Sequence, residues 1–207
     1  MIDIQEKDLA MLLEGTKNID MSKVLPVNWE TSLSKGSSIY GSFVLPVEYQ
    51  STDSSINPDP TDQLYKITFS YGSSISVPFN ELDGYPKISV VVPDIYTVSF
   101  KSDRTSYSEN KLDPDNRVFE TVIWCIREVI NSVTPNLITF TPANNKLAKA
   151  YYLMSASMDR EGIGGAKMPY VFINKNEVKS RINGTPYYFM SSKAFLNAVK
   201  LKLRGAL

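Results

Sequence analysis

The chain has 207 residues, of which 43% are hydrophobic and 21% charged, a composition typical of one globular domain. Lys and Arg together number 22, as do Asp and Glu, so no overall charge excess favours binding to nucleic acid or to a membrane. The sequence contains no histidine and one cysteine, which excludes Ser-His-Asp and Cys-His catalysis, imidazole metal ligands and an intrachain disulfide.

The first residues predict an acidic helical arm. Asp3 and Glu6 have the spacing of a capping box, and a leucine stripe that ends at Gly15 predicts a helix over residues 3–14. A signal peptide would carry basic and then unbroken apolar residues here, and no apolar run approaches the roughly 20 residues of a membrane span. We therefore expect a protein of a reducing cytoplasm without a membrane segment.

A polar, irregular region follows, with one predicted strand near residues 39–47. From Leu64 onwards apolar residues alternate with polar ones, which predicts an antiparallel β-meander. Turn signals at residues 71–74 and at Pro93-Asp94 divide this meander into four predicted strands. The change of pattern predicts two units: an N-terminal arm with an irregular region over 1–62, and a domain over 63–207.

Helix and strand alternate after the meander. A single apolar face from Val118 to Val133 predicts a helix that is capped by Asp115 or Asn116. The apolar run 137–140 then predicts a short strand. Because a strand that arrives after a helix usually forms a right-handed crossover, we expect it to lie parallel to the strand before the helix.

The C-terminal part of the chain predicts a second helix over residues 144–158, strands near 168–173 and 187–190, and a last helix that Ser191 caps. The predicted fold class is therefore α/β or α+β, with a mixed sheet. The last helix ends in basic residues, where the helix dipole favours cations. These are the candidate partner-binding residues: Lys193, Lys200, Lys202 and Arg204.

The order of these elements, an antiparallel meander followed by helix, strand and helix, resembles the GNAT acyltransferase superfamily. The strand at 96–100 and the run 116–123 resemble the GNAT-like domain of many tailed-phage proteins of unassigned function, in which such a strand leads into an Asn-x-Val-Phe-x-x-Val helix. Residues 137–143 and 145–152 resemble its following strand and second helix. The resemblance covers residues 64–175 and implies a phage protein with a GNAT-like mixed sheet.

The resemblance also implies site residues for an acyl-CoA-dependent N-acyltransferase. In GNAT enzymes a glycine-rich turn at the start of the first central helix binds the pyrophosphate of acetyl-CoA, and Asn116 and Val118 match that helix start. Asn145 matches a cofactor-contacting Asn. Tyr152 matches the general acid that protonates the departing CoA thiolate.

The residues before this helix argue against a bound cofactor. The segment 101–116 contains no glycine, whereas Asp113 and Asp115 stand where carboxylates would bind the free N–H groups and repel a diphosphate. Our leading hypothesis is therefore protein binding without catalysis, cofactor or metal. Acyl transfer from acetyl-CoA is the alternative.

Charge is distributed unevenly along the chain. Residues 1–62 carry 4 basic and 10 acidic residues, whereas residues 160–207 carry 9 basic and 2 acidic ones. The two ends predict pairing between copies or docking on a phage or host protein, as a virion component or a host-interaction protein. Nucleic-acid binding through the basic C-terminal helix is a second alternative, disfavoured because the helix end explains the cations. The expected location is the host cytoplasm, or the virion after assembly.

Overall fold

The computed structural model describes residues 19–57, 59–79, 88–103, 112–140, 170–172, 181–182, 185–186 and 188–204. These residues form a mixed fold of strands and helices, in agreement with the predicted class. The strands are β1 (Val27–Trp29), β2 (Ile39–Leu45), β3 (Gln63–Phe79), β4 (Ile88–Ser102), β5 (Leu137–Phe140), β6 (Tyr170–Phe172), β7 (Arg181–Ile182), β8 (Thr185–Pro186) and β9 (Tyr188–Ser192). The helices are α1 (Arg117–Val133) and α2 (Lys193–Arg204), and Val47–Tyr49 form a short 3-10 helix.

Seven of the strands form one sheet in the order β1-β2-β3-β4-β5-β9-β6, while β7 and β8 form a separate pair. Neighbouring strands are antiparallel from β1 to β4. The antiparallel pairing predicted for residues 64–100 is present, but as two long strands instead of four short ones. The pair β4 and β5 is parallel, as predicted for a strand that arrives after a helix. The pairs that attach β9 and β6 are antiparallel again.

The two turns predicted inside the meander are wrong. β3 and β4 are continuous strands that pair from Tyr65 opposite Ser102 to Phe79 opposite Ile88. At the Pro93-Asp94 pair, where the sequence predicted a turn, Asp94 adopts a left-handed backbone conformation within β4, with φ 55°. Asp tolerates this conformation better than most residues, so the strand continues without reversing.

The core lies between the sheet and α1. One face of α1 is buried, and its apolar residues pack in the same cluster as the inward residues of β2, β3 and β4. In β2 the buried residues alternate with outward ones, as the pleat requires. Trp29 lies against both Phe69 and Trp124, each with a ring separation of 6.4 Å, and so joins β1 to the sheet and to the helix.

The region before residue 63 contributes to this same core. β2 pairs with β3 along its whole length, from Ile39 opposite Phe69 to Leu45 opposite Gln63. Ile19 and Leu25 are also buried in the core cluster. β1 and β2 therefore belong to the same sheet as β3 and β4, and the segment before β3 contributes to the same core. The predicted helices over 3–14 and 144–158 lie outside the described residues.

The last helix begins one residue later than predicted. The Oγ of Ser192, not of Ser191, accepts a hydrogen bond from the Phe195 N–H at 3.1 Å. Ser192 therefore occupies the N-cap of α2, since the capping oxygen binds the N–H three residues further on. Because Ser192 is also the last residue of β9, the strand leads directly into the helix.

We expect Gly41→Ala to destabilise the fold by about 1–3 kcal/mol, as overpacking of a core does. A Cβ at Gly41 would lie 2.9 Å from Cε3 of Trp29 and 3.4 Å from Cγ2 of Ile67. Urea unfolding followed by tryptophan fluorescence measures the difference. The matched control is Gly72→Ala in β3, where a Cβ meets nothing within 4 Å. An equal loss in both variants would contradict the steric explanation.

Candidate functional site

The N-terminus of α1 is occupied by the side chain of Asp113. Its Oδ2 accepts a hydrogen bond of 2.7 Å from the Val118 N–H, and the residue is only 3% exposed. Burial raises the pKa of this carboxyl, and the hydrogen bonds from the N–H groups of Val118 and Arg117 act in the opposite direction. Among the described residues its Oδ1 is buried and has no hydrogen-bond partner.

Of the two predicted caps of α1, Asn116 is confirmed as the N-cap residue, but the capping side chain is that of Asp113. Asn116 holds the N-cap position with a left-handed backbone, φ 57°, instead of the extended backbone from which a side chain caps a helix, and its side chain makes no capping bond. Asp115 lies 3.7 Å from Nε of Arg117. The Asn116 N–H donates a hydrogen bond of 3.2 Å to the Asp113 carbonyl, which forms a tight turn. This turn places the Asp113 side chain against the start of the helix, although Asp113 lies before it in sequence.

This arrangement leaves little room for an anion. The Val118 N–H, which the resemblance assigns to a cofactor, already donates to Asp113, and the Val118 side chain is 5% exposed. A diphosphate at this position would have to displace a buried carboxylate that satisfies the same N–H groups. The N-terminus of α1 therefore binds a carboxylate of the same chain, that of Asp113.

A segment that we name the strap, residues 19–25, crosses the first turns of α1. The Leu25 N–H donates to Oγ1 of Thr121 at 2.9 Å, and Nη1 of Arg117 donates to the Ser22 carbonyl at 3.1 Å. The Arg117 guanidinium also lies over the Tyr49 ring, 3.8 Å from its centre. Arg117 therefore joins the strap, the helix and the 3-10 segment by a hydrogen bond and a cation–π contact.

Glu120 is buried under the strap. It is 5% exposed, and its Oε2 accepts only a long hydrogen bond, 3.4 Å, from the Asp20 N–H. This burial raises the pKa of Glu120 to about 7, and the positive charge of Lys23 and the negative charge of Asp20 act on it in opposite directions. The structure thus holds two buried carboxyl groups at the start of α1, Asp113 and Glu120.

Sequence reasoning did not find a polar cluster around Asp94. Its Oδ2 lies 2.9 Å from Nζ of Lys35, and its Oδ1 accepts a hydrogen bond from the Tyr71 hydroxyl at 3.3 Å. The Tyr96 hydroxyl, beside the Tyr71 ring, accepts the Gly36 N–H at 3.0 Å. Because these groups satisfy one another, the cluster fixes the loop before β2 onto the sheet. The signal that could have found it was the aspartate inside a strand pattern.

The remaining candidate residues divide into two groups. Asn145 and Tyr152, assigned by the acyltransferase alternative, lie outside the described residues, so of that set the structure places Asn116 and Val118 alone. The partner-binding candidates lie on α2. By helical spacing, positions 193, 200 and 204 share one face with exposed Asn197, whereas position 202 lies on the opposite side of the helix, the side that includes buried Val199.

No protein-family model, curated protein or solved structure matches this chain. Within the described part, no helix is long and apolar enough to cross a membrane. The same residues contain no group of three or more Cys, Asp or Glu that could hold a metal ion. Cys125 is fully buried in α1, and this burial raises the pKa of its thiol, so it offers no accessible nucleophile.

We expect Glu120→Gln to be more stable than the wild type at pH 8, by about 2 kcal/mol, and equally stable near pH 4. The folded-state pKa is raised to about 7, so the neutral acid favours folding below the unfolded pKa, and this contribution is lost as the pH rises through 7. Urea unfolding at several pH values measures the difference. The control, Glu128→Gln on the same helix, changes a more exposed carboxylate beside Arg127. A wild type that gains stability from pH 5 to 8 relative to Glu120→Gln would contradict the assignment.

Proposed function

We propose that this chain is a tailed-phage protein that uses a GNAT-like scaffold for protein binding and does not catalyse acyl transfer. The element order supports the scaffold. An antiparallel meander leads into α1, and α1 leads into a strand parallel to β4, which is the order on which the resemblance rests. Fold alone does not imply activity, so the function must follow from the site.

The single observation that carries the proposal is the Asp113 carboxylate at the N-terminus of α1. An acyl-CoA enzyme of this type presents free N–H groups and a positive helix end to a diphosphate. Here the Val118 N–H is 2.7 Å from a buried carboxylate oxygen, so both the hydrogen-bonding capacity and the charge are already used. The site supports a scaffold role better than cofactor chemistry.

The binding partner is a phage or host protein, or a second copy of the chain. The basic positions 193, 200 and 204 share one face of α2, and the 62 residues at the other end of the sequence are strongly acidic. Complementary charge guides association and fixes the orientation of two partners. The protein would act in the host cytoplasm or as part of the virion.

We expect no heat in a calorimetric titration of the protein with acetyl-CoA or CoA, at about tenfold excess over the micromolar range typical of enzyme ligands. Asp113→Ala frees the Val118 N–H and removes the buried charge. Without the capping carboxylate, that variant should lose about 1 kcal/mol of stability. Inorganic phosphate should then raise its melting temperature by binding to the freed N–H groups, whereas phosphate should leave the melting temperature of the wild type unchanged.

Binding of acetyl-CoA by the wild type would overturn the proposal and favour the alternative, an N-acyltransferase. In that case Tyr152→Phe and Asn145→Ala are the next variants. Loss of turnover in Tyr152→Phe with binding retained would assign Tyr152 as the general acid.

We expect static light scattering at low salt to give a mass above that of one chain of 23.2 kDa, falling to the monomer as salt rises. The variant Lys193→Gln/Lys200→Gln/Arg204→Gln should remain monomeric throughout. Lys202→Gln, on another side of α2, is the single-site control. A strict monomer at low salt that also captures no phage or host protein would contradict protein binding through charge.

A further inference from the structure

The outward face of β2, β3 and β4 carries a surface that we name the lysine face. Its side chains come from alternate positions of the three strands, which the antiparallel register places in rows. One row is Tyr40, Thr68 and Ser99, and the next is Ser42, Lys66 and Lys101. Tyr40 is 43% exposed, and both lysines and Ser99 are exposed.

Lys66 and Lys101 lie directly opposite each other on this face. Directly opposed residues of neighbouring strands have Cβ atoms only about 5 Å apart, so two like charges there oppose the pairing of β3 and β4. Neither lysine forms an ion pair within the described part of the chain. The carboxylate of Asp103, two residues after Lys101, accepts a hydrogen bond from the Gln63 side chain.

The other residues of these two rows are uncharged, and all of them carry a hydroxyl group. Ser42, Thr68 and Ser99 supply hydrogen-bonding groups, and Tyr40 adds an aromatic ring with a polar end. No carboxylate stands in the row that contains the two lysines or in the row of Tyr40, Thr68 and Ser99. Lys66 and Lys101 are thus two exposed positive charges held side by side on the sheet, with no ion pair among the residues that the structure describes, and they can attract a negatively charged partner.

We propose that the lysine face binds an acidic polypeptide segment in extended conformation. Alternate side chains of an extended segment point to one side, so carboxylates two residues apart can meet the two ammonium groups while the hydroxyls bind the backbone. The partner is a polypeptide and not a single-stranded nucleic acid. Nucleic acid needs several aromatic rings for successive bases, and among the rows described here Tyr40 alone offers one.

This surface is separate from α2 and does not depend on the role proposed for that helix. Lys66 and Lys101 belong to strands on one side of β5, whereas β9, which leads into α2, lies on the other. The lysine face can therefore fail or succeed as a binding surface whether or not acetyl-CoA binds and whether or not the α2 variants alter self-association.

The test is fluorescence anisotropy with a labelled peptide of about 12 residues in which Glu and Ser alternate. We expect salt-sensitive binding by the full chain, and a loss of about tenfold or more in Lys66→Gln/Lys101→Gln. The control, Lys23→Gln/Arg127→Gln, removes two positive charges elsewhere and should lose less than about threefold. Because repulsion is relieved, the Lys66→Gln/Lys101→Gln variant should melt no lower than the wild type, which separates lost binding from lost folding.

Three outcomes would overturn the proposal. The first is no binding of the acidic peptide by the wild type at low salt. The second is an equal loss in the two double variants, which would mean a general effect of net charge. The third is tighter binding of an oligothymidylate of the same charge that depends on Lys66 and Lys101, which would make the face a nucleic-acid surface.

Discussion

The burial of α1 against β2, β3 and β4 is the interaction on which the other elements depend. α1 is the connection between β4 and β5, and these two strands are parallel, so the chain must return across the sheet between them. The helix can make that return because its buried face joins the core cluster of the three antiparallel strands. β9 then pairs with β5, β6 pairs with β9, and α2 follows β9 directly. The return of the chain through α1 therefore places β5 beside β4, and β9 and β6 extend the sheet from β5.

Two buried carboxyl groups at the start of α1 lower the stability of the fold, and the burial of the apolar face of the helix offsets this loss. Asp113 and Glu120 are both buried, and burial of a carboxyl group is unfavourable unless the group is hydrogen-bonded or neutral. Asp113 is partly satisfied by the helix N–H groups, whereas Glu120 has one long bond from the strap and a pKa raised to about 7. Such groups contribute little to stability. The two carboxyl groups instead favour the observed position of the strap and of residue 113, since any other position would give them fewer hydrogen bonds.

Sequence periodicity predicted the buried faces of the strands and of α1, but it did not predict the capping side chain of α1 or the absence of turns within β3 and β4. Alternation in β2, β3 and β4 and the apolar stripe of α1 were enough to predict extended strands and a helix, because burial imposes those periods over many residues. Asn116 holds the predicted N-cap position, but its left-handed backbone keeps its side chain from capping, and the Asp113 carboxylate, three residues earlier, accepts the helix N–H instead. Periodicity does not predict such local geometry. The turn at Pro93-Asp94 was wrong because the long pairing of β3 and β4 outweighs a dipeptide preference. The anionic group at the start of α1 could be predicted from composition, whereas the strap over Glu120 and the Asp94 cluster depend on contacts between residues far apart in sequence.

The N-terminus of α1 and the lysine face show the same electrostatic requirement met in two ways. At α1 the partial positive charge of the helix end is neutralised within the chain, by a buried carboxylate 2.7 Å from an N–H group. On the sheet, Lys66 and Lys101 are opposed across β3 and β4, and the described residues supply them with no ion pair. A site that contains its own counter-charge has little further affinity for a charged ligand, whereas a site that lacks one gains free energy when the ligand brings it. This difference in counter-charge among the described residues is the reason for proposing that a partner binds at the lysine face and not at the helix end, where the resemblance placed a cofactor.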